Sequence, residues 1–197
     1  MAILKKLSIK QLLKKNYSNS KVLQNLAYGA AKKKADKLKS DLIKELNSHP
    51  VTKEIEQGPN ASGSLLGGNG NLFGFLGFTP SQQPVRIIRD SFEKYINIDK
   101  KPKLKKMSDT VFRWEFPIRY PSAQEIYAVT PLTWSTQSWV KGVERGIGNF
   151  THTVFTRSSN SRSGVALQAE EPQMSFINFR ATPYVGAMLS NFRAKLR

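Results

Sequence analysis

Residues 58–83 carry no charged side chain, although they lie between two strongly cationic zones: residues 1–57 hold thirteen lysines against five acids, and residues 84–197 hold eighteen basic residues against nine acidic ones. The uncharged zone combines seven glycines with Leu65, Leu66, Leu72, Phe73, Phe75, Leu76 and Phe78. That is far too apolar for a solvated glycine/serine linker. Exposed aromatic clusters of this density invite association, so the side chains have to be sheltered against the chain's own core or against a neighbouring subunit. The expectation drawn is a subunit-interface arm anchored by those seven residues.

With 197 residues, the chain has room for one domain with a long extension, or two very small ones. Its formal charge of +17 calls for a polyanion, an acidic protein surface or a dense assembly to balance it. The absence of cysteine removes disulfides, thiolate zinc sites and cysteine nucleophiles together, and suits a reducing compartment or a particle built inside one. No apolar run approaches the roughly twenty residues of a spanning helix, so no membrane is expected as a partner. Met1 to Ala35 is free of acids, as a targeting leader would be, but its basic residues are all lysine, which argues against one.

The charge zones suggest a tripartite chain: a basic helical N-terminal extension (1–57), the uncharged arm (58–83) and a domain (84–197) ending in a basic C-terminal helix. In the first zone Leu23, Leu26, Ala30, Ala35, Leu38, Leu42 and Leu46 recur at spacings of three to five, predicting an amphipathic helix with Asn19 or Ser20 as N-cap. His49-Pro50 breaks it, and a short helix follows until Gly58-Pro59.

The third zone alternates helical and strand patterns, predicting an α+β fold with a small mixed or antiparallel sheet and flanking helices. Pro84 to Tyr95 reads as a helix with Val85, Ile88, Phe92 and Tyr95 on one side. Asp109 to Tyr120 alternates as a half-buried strand that Pro117 places at an edge or at the end of pairing. Ser122 and Glu125 form a capping-box signature, and Ser135 or Thr136 is expected to open a helix that stops at Gly146. Strands are expected at 150–156, 165–169 and 174–179. Thr182-Pro183 starts a terminal helix with Tyr184, Val185, Met188, Leu189 and Phe192 inward.

Motifs for catalysis are weak. Gly63 to Gly68 is followed by Asn69 and Gly70, not by the lysine and Ser/Thr of a phosphate loop, and no strand precedes Gly68-Asn69-Gly70 as a dinucleotide fold would require. The only histidines are His49 and His152, and no Gly-x-Ser-x-Gly elbow occurs, which disfavours a catalytic triad. Glu54 with Glu56, Asp90 with Glu93, and Glu170 with Glu171 are close carboxylate pairs that could hold magnesium, yet such pairs more often serve a solvated face or partner lysines. No catalytic residue, metal ligand or cofactor is therefore expected. Trp134 and Trp139 read as packing anchors.

The basic clusters are the candidate contacts to an acidic partner or DNA: Lys32, Lys33 and Lys34; Lys101, Lys103, Lys105 and Lys106 in a loop; and Arg157 with Arg162 in another. Each could equally be a solvated basic surface.

Several runs taken together carry a resemblance: His49-Pro50-Val51-Thr52-Lys53-Glu54-Ile55, Gly67 through Phe78, Thr130-Pro131-Leu132-Thr133-Trp134 leading to Ser138-Trp139-Val140, Glu144-Arg145-Gly146-Ile147, and Ser161 through Gln168. The chain resembles small virion structural proteins of tailed bacteriophages, especially those near the neck or tail-completion position. The resemblance implies a subunit of a ring or sleeve joining head and tail, or capping or initiating the tail, with DNA passing through its lumen. It implies portal, neck or tail proteins and further copies of the chain as partners, a virion location after assembly in the host cytoplasm, and no catalytic residue. The alternatives are an RNA-binding subunit of a ribonucleoprotein, such as a ribosomal protein with extensions, and more remotely a metal-dependent nuclease.

Overall fold

A long helix leads into the body of the protein, and only its second half turns an apolar face to the core. The computed structural model describes residues 20–61, 65–66, 71–106, 112–132, 135–146, 153–154, 167–168 and 180–196. Helix α1 (Lys21–Ser48) has Ser20 as its N-cap, whose hydroxyl accepts from the Leu23 N–H at 3.4 Å. Ala35, Leu42 and Leu46 are buried, with Leu38 half-buried beside them, but Leu23, Leu26 and Ala30 are exposed. The predicted stripe therefore splits in two. The five-residue step from Ala30 to Ala35 turns the helix by about 140° past whole turns, which carries the first three residues off the core side. Tyr28 and Ala31 continue the inward face instead, Tyr28 meeting the Phe116 ring at 5.7 Å.

Helix α2 (Pro50–Glu56) begins at the predicted break, with Pro50 in its first turn and Val51 and Ile55 fully buried. A single 3₁₀ turn (Gly58–Asn60) follows, entered through Gly58 at φ +68°, a left-handed conformation that favours glycine. The glycine-rich segment then folds back as one helical turn, α3 (Leu72–Phe75), capped by Asn71, whose Oδ1 accepts from the Gly74 N–H at 2.8 Å. Gly77, at φ +69°, turns the chain out of it.

Leu66, Leu72, Phe73, Leu76 and Phe78 are buried in the chain's own core, while Leu65 and Phe75 are partly buried against it. This corrects the expectation of a subunit-interface arm for Leu66, Leu72, Phe73, Leu76 and Phe78, because side chains already enclosed by their own chain offer no surface to a neighbour, whereas Leu65 and Phe75 keep part of theirs. Gly58 and Gly77, both at positive φ, let the backbone turn sharply on either side of those side chains.

Helix α4 (Pro84–Tyr95) buries Val85, Ile88 and Phe92 as predicted, but Tyr95 sits at the far edge of that face and is half exposed. The strands form short antiparallel pairs among the described residues, not one sheet. β1 (Asn97–Ile98) pairs with β4 (Ile118–Arg119), and β2 (Lys103–Lys106) pairs with β3 (Phe112–Glu115). Phe116-Pro117 separates β3 from β4, so the predicted single strand is two, each with its own partner. Pro117 lacks an N–H to donate, and its carbonyl accepts from the Asp99 N–H at 2.8 Å.

Helix α5 (Ala123–Ala128) carries the complete Ser122–Glu125 capping box. Residues expected to open the next helix instead form β6 (Ser135–Ser138), paired with β5 (Pro131–Leu132). Helix α6 (Trp139–Arg145) starts only after Ser138, whose hydroxyl caps it, and stops at Gly146. β7 (Thr153–Val154) pairs with β8 (Leu167–Gln168), inside two of the expected strands, whereas the expected strand at 174–179 and Trp134 lie outside the described residues. Helix α7 (Val185–Leu196) closes the fold with Val185, Met188, Leu189 and Phe192 buried, as predicted.

The fold is α+β, and one hydrophobic cluster takes residues from all three charge zones: Leu42 and Leu46, then Leu72 and Phe78, then Phe92, Val140 and Phe192. The zones are compositional, and they share a core. No helix among the described residues is long and apolar enough to cross a membrane.

Candidate functional site

The glycine-rich segment is fastened by a carboxylate. Glu54 lies one turn after Val51 on the inward arc of α2 and is only 4% exposed. Its Oε1 accepts from the Leu72 N–H at 2.7 Å and its Oε2 from the Leu65 N–H at 3.2 Å. Charge-assisted bonds of this kind are about twice as strong as neutral ones and offset the cost of burying the anion. Both ends of the glycine run are thus held to α2 by one side chain. The Leu65 N–H, which a phosphate loop over Gly63 to Gly68 would offer to a ligand, is here turned onto the protein's own carboxylate.

A line of rings runs from that segment to the start of α7. Phe73 meets Phe78 at 5.7 Å, Phe78 meets Trp139 edge-on at 5.7 Å, and Trp139 lies 6.1 Å from Tyr184. The Tyr184 hydroxyl shares a 2.7 Å hydrogen bond with Thr52, and burial raises its pKa above the ordinary tyrosine value. Trp139 is therefore the packing anchor its sequence context predicted.

Nearby, Tyr127 donates to Glu144, and Glu144 accepts through Oε1 from the Gly186 N–H at 2.5 Å in the first turn of α7. Burial and this carboxylate push the Tyr127 pKa up to about 12, so the phenol remains a donor at neutral pH. A Cβ at Gly186 would lie 3.2 Å from both Glu144 oxygens, so a larger residue there requires the carboxylate to shift by a few tenths of an ångström. Placed at the N-terminal end of α7, the Glu144 charge also suits the helix dipole. These groups join elements, and each polar atom named is already committed to a protein partner.

The other predicted sites are dispersed. Lys32, Lys33 and Lys34 are exposed on α1. Lys101 precedes β2, and Lys103, Lys105 and Lys106 lie within it, where a loop was expected. Lys103 and Lys105 project from one face of the strand, and Lys105 pairs with Glu115 at 3.6 Å on the neighbouring strand. Arg157 and Arg162 fall outside the described residues, as do Glu170 and Glu171. Glu56 binds Arg89 at 2.7 Å, and Asp90 lies 3.5 Å from Arg86, so the carboxylate pairs are divided among separate partners. Among the described residues no group of three His, Asp or Glu side chains is placed to hold a metal ion.

The carboxylate fastening was not found by sequence reasoning, which considered Glu54 only beside Glu56 as a metal pair. One signal was present: Glu54 follows Val51 at the three-residue spacing that puts both on one helix face. Comparison with protein-family models, curated proteins and solved structures returns no match.

Proposed function

We propose that the chain is a non-enzymatic structural subunit of a tailed-phage particle, placed in its neck or tail, that joins neighbours through its first helix and its basic surfaces. The observation that carries the assembly reading is the N-terminal half of α1. This helix has 28 residues, about 42 Å of length, and its buried side chains Ala35, Leu42 and Leu46 all lie in the second half. Ahead of them Val22 is 76% exposed and Leu26 is 75% exposed, one turn apart on the side facing away from the core. An outward apolar stripe on a lysine-rich helix suits a contact with another subunit. Leu66, Leu72, Phe73, Leu76 and Phe78 lend no support, since they are occupied inside their own chain. The phage part of the reading rests on the resemblance carried by runs such as Gly67 through Phe78 and Ser161 through Gln168, and the charge of +17 suits a subunit beside DNA or acidic neighbours.

The test is the native mass of the purified full chain at moderate salt, read with its absorbance ratio for bound nucleic acid. A discrete oligomer, or co-assembly with portal or tail proteins, is expected, and Val22→Lys with Leu26→Lys should return it to monomer without lowering its melting temperature. A strict monomer that ignores those proteins would overturn the reading. Copurified RNA released steeply as salt rises would replace it with the ribonucleoprotein alternative.

A further inference from the structure

Among the described residues the exposed large apolar side chains fall into two groups. Val22, Leu23 and Leu26 lie at the start of α1, whereas Tyr95 and Val129 line one groove far from it in sequence, and Ile87 lies outside that lining, one helical turn before Ser91 on α4. That groove, about 510 Å³, runs between α4 and the segment from β4 through α5. Its walls include Tyr95, Pro121, Ile126 and Val129. Ile87 extends the α4 wall by one turn from Ser91, whose hydroxyl is committed to the Ile87 carbonyl at 2.7 Å. Single exposed apolar residues are ordinary, but two lining one concavity, with a third on the adjoining turn of the same helix, mark a binding surface.

The edges of the groove carry charge of mainly one sign. Lys94 holds its ammonium 5.2 Å from the Tyr95 ring centre, and Arg119 lies on the exposed side of β4. The one lining carboxylate, Glu125, is committed to the Ser122 N–H at 2.7 Å and to the Ser122 hydroxyl at 2.8 Å.

From this pairing of apolar walls and basic edges, we propose that the groove between α4 and α5 docks an acidic amphipathic helix of a partner protein. Its apolar face would meet Ile87, Tyr95 and Val129, and its carboxylates would meet Lys94 and Arg119. Helix-in-groove recognition uses anchors at such spacings, and opposite charge at the edge sets orientation and speeds encounter. The exposed apolar helix of a second copy, the start of α1, fits poorly, because residues 21–35 carry lysines and no acid. Single-stranded nucleic acid fits poorly too: Lys94 already lies over one face of Tyr95, the second lining ring, Tyr120, packs edge-on against Phe192, and Val129 is aliphatic. This assignment is independent of the phage reading.

The test measures fluorescence anisotropy of the full chain with labelled acidic peptides carrying leucine at helical spacing and glutamate on the opposite face. Scrambled peptides of the same composition and single-stranded oligodeoxythymidine serve as competing probes. The amphipathic peptide should bind at least about tenfold more tightly than its scrambled form. Val129→Glu and Lys94→Glu should each weaken it about tenfold at unchanged melting temperature. Equal binding of the scrambled peptide, or affinity untouched by both substitutions, would overturn the proposal. So would displacement by an oligonucleotide that itself loses affinity on Tyr95→Ala, which would make the groove a nucleic-acid site. Monomeric behaviour in the native-mass measurement would leave the peptide result unaffected.

Discussion

Glu54 shows how one side chain can decide the course of a flexible segment. Its two oxygens satisfy backbone N–H groups that are respectively 11 and 18 residues further along the chain. Glu54→Ala removes both acceptors and leaves two N–H groups in a poorly hydrated place, at a cost of about 2–4 kcal/mol. Glu54→Gln keeps the shape but turns an amide NH₂ toward one of the donors, so it should recover only part of that loss. Urea midpoints for the two variants check both the size and the order, and equal stability of Glu54→Ala and wild type would refute the fastening. The sequence placed Glu54 on the face of Val51 but could not name its partners, because a side chain reaching the backbone of a distant loop leaves no periodic trace. Hydrophobic spacing reported Val51 and Ile55, and it had nothing to say about what a carboxylate on the same face would meet.

At the level of elements, caps and prolines were the most legible features and strand limits the least. Ser122 with Glu125, Pro50, Pro84 and Gly146 all punctuate the chain where their local chemistry predicts. Residues 135–138 misled because Ser and Thr suit both a helix start and a strand, and only pairing with Pro131 and Leu132 decides between them. The cap of α2 yields a pH dependence. His49 Nδ1 accepts from the Val51 N–H at 3.3 Å, which requires that nitrogen to be unprotonated. Burial lowers the His49 pKa below 6.5, outweighing the Pro183 carbonyl and Glu45, which favour the charged ring. The folded state therefore takes up a proton less readily than the unfolded one. Stability is full above about pH 6.5 and falls as pH drops through the lowered folded value, below which the loss is complete. Loss of a cap costs about 1 kcal/mol. Melting curves at neutral and mildly acidic pH should show the decline in wild type, and His49→Asn, which keeps an acceptor oxygen, should lessen it.

For the molecule as a whole, charge zones proved a poor guide to domains. Residues 58–83 were set apart by having no charge, yet several of their large apolar side chains are interior: Leu72 and Leu76 are as inaccessible as Ile88 and Phe92. Their glycines disguised a core segment as an arm, since flexibility in sequence and flexibility in the folded state are different quantities. Leu72→Ala should destabilise the protein by about 2–5 kcal/mol, in the range of any core truncation. Unfolding followed by ring absorbance and by backbone circular dichroism should coincide in one transition, whereas an independent arm would give Leu72→Ala little effect on the main transition.

The hydroxyl contact between Thr52 and Tyr184 spans 132 positions, and α7 packs against α1 while adding Val185, Met188, Leu189 and Phe192 to the shared core. During synthesis the greasy middle of the polypeptide emerges long before the helix that completes its shelter. The core around Leu72 and Phe78 therefore stays open on the side of Val185, Met188, Leu189 and Phe192 until residues 185–196 have been made, an interval in which its apolar surface is exposed to association.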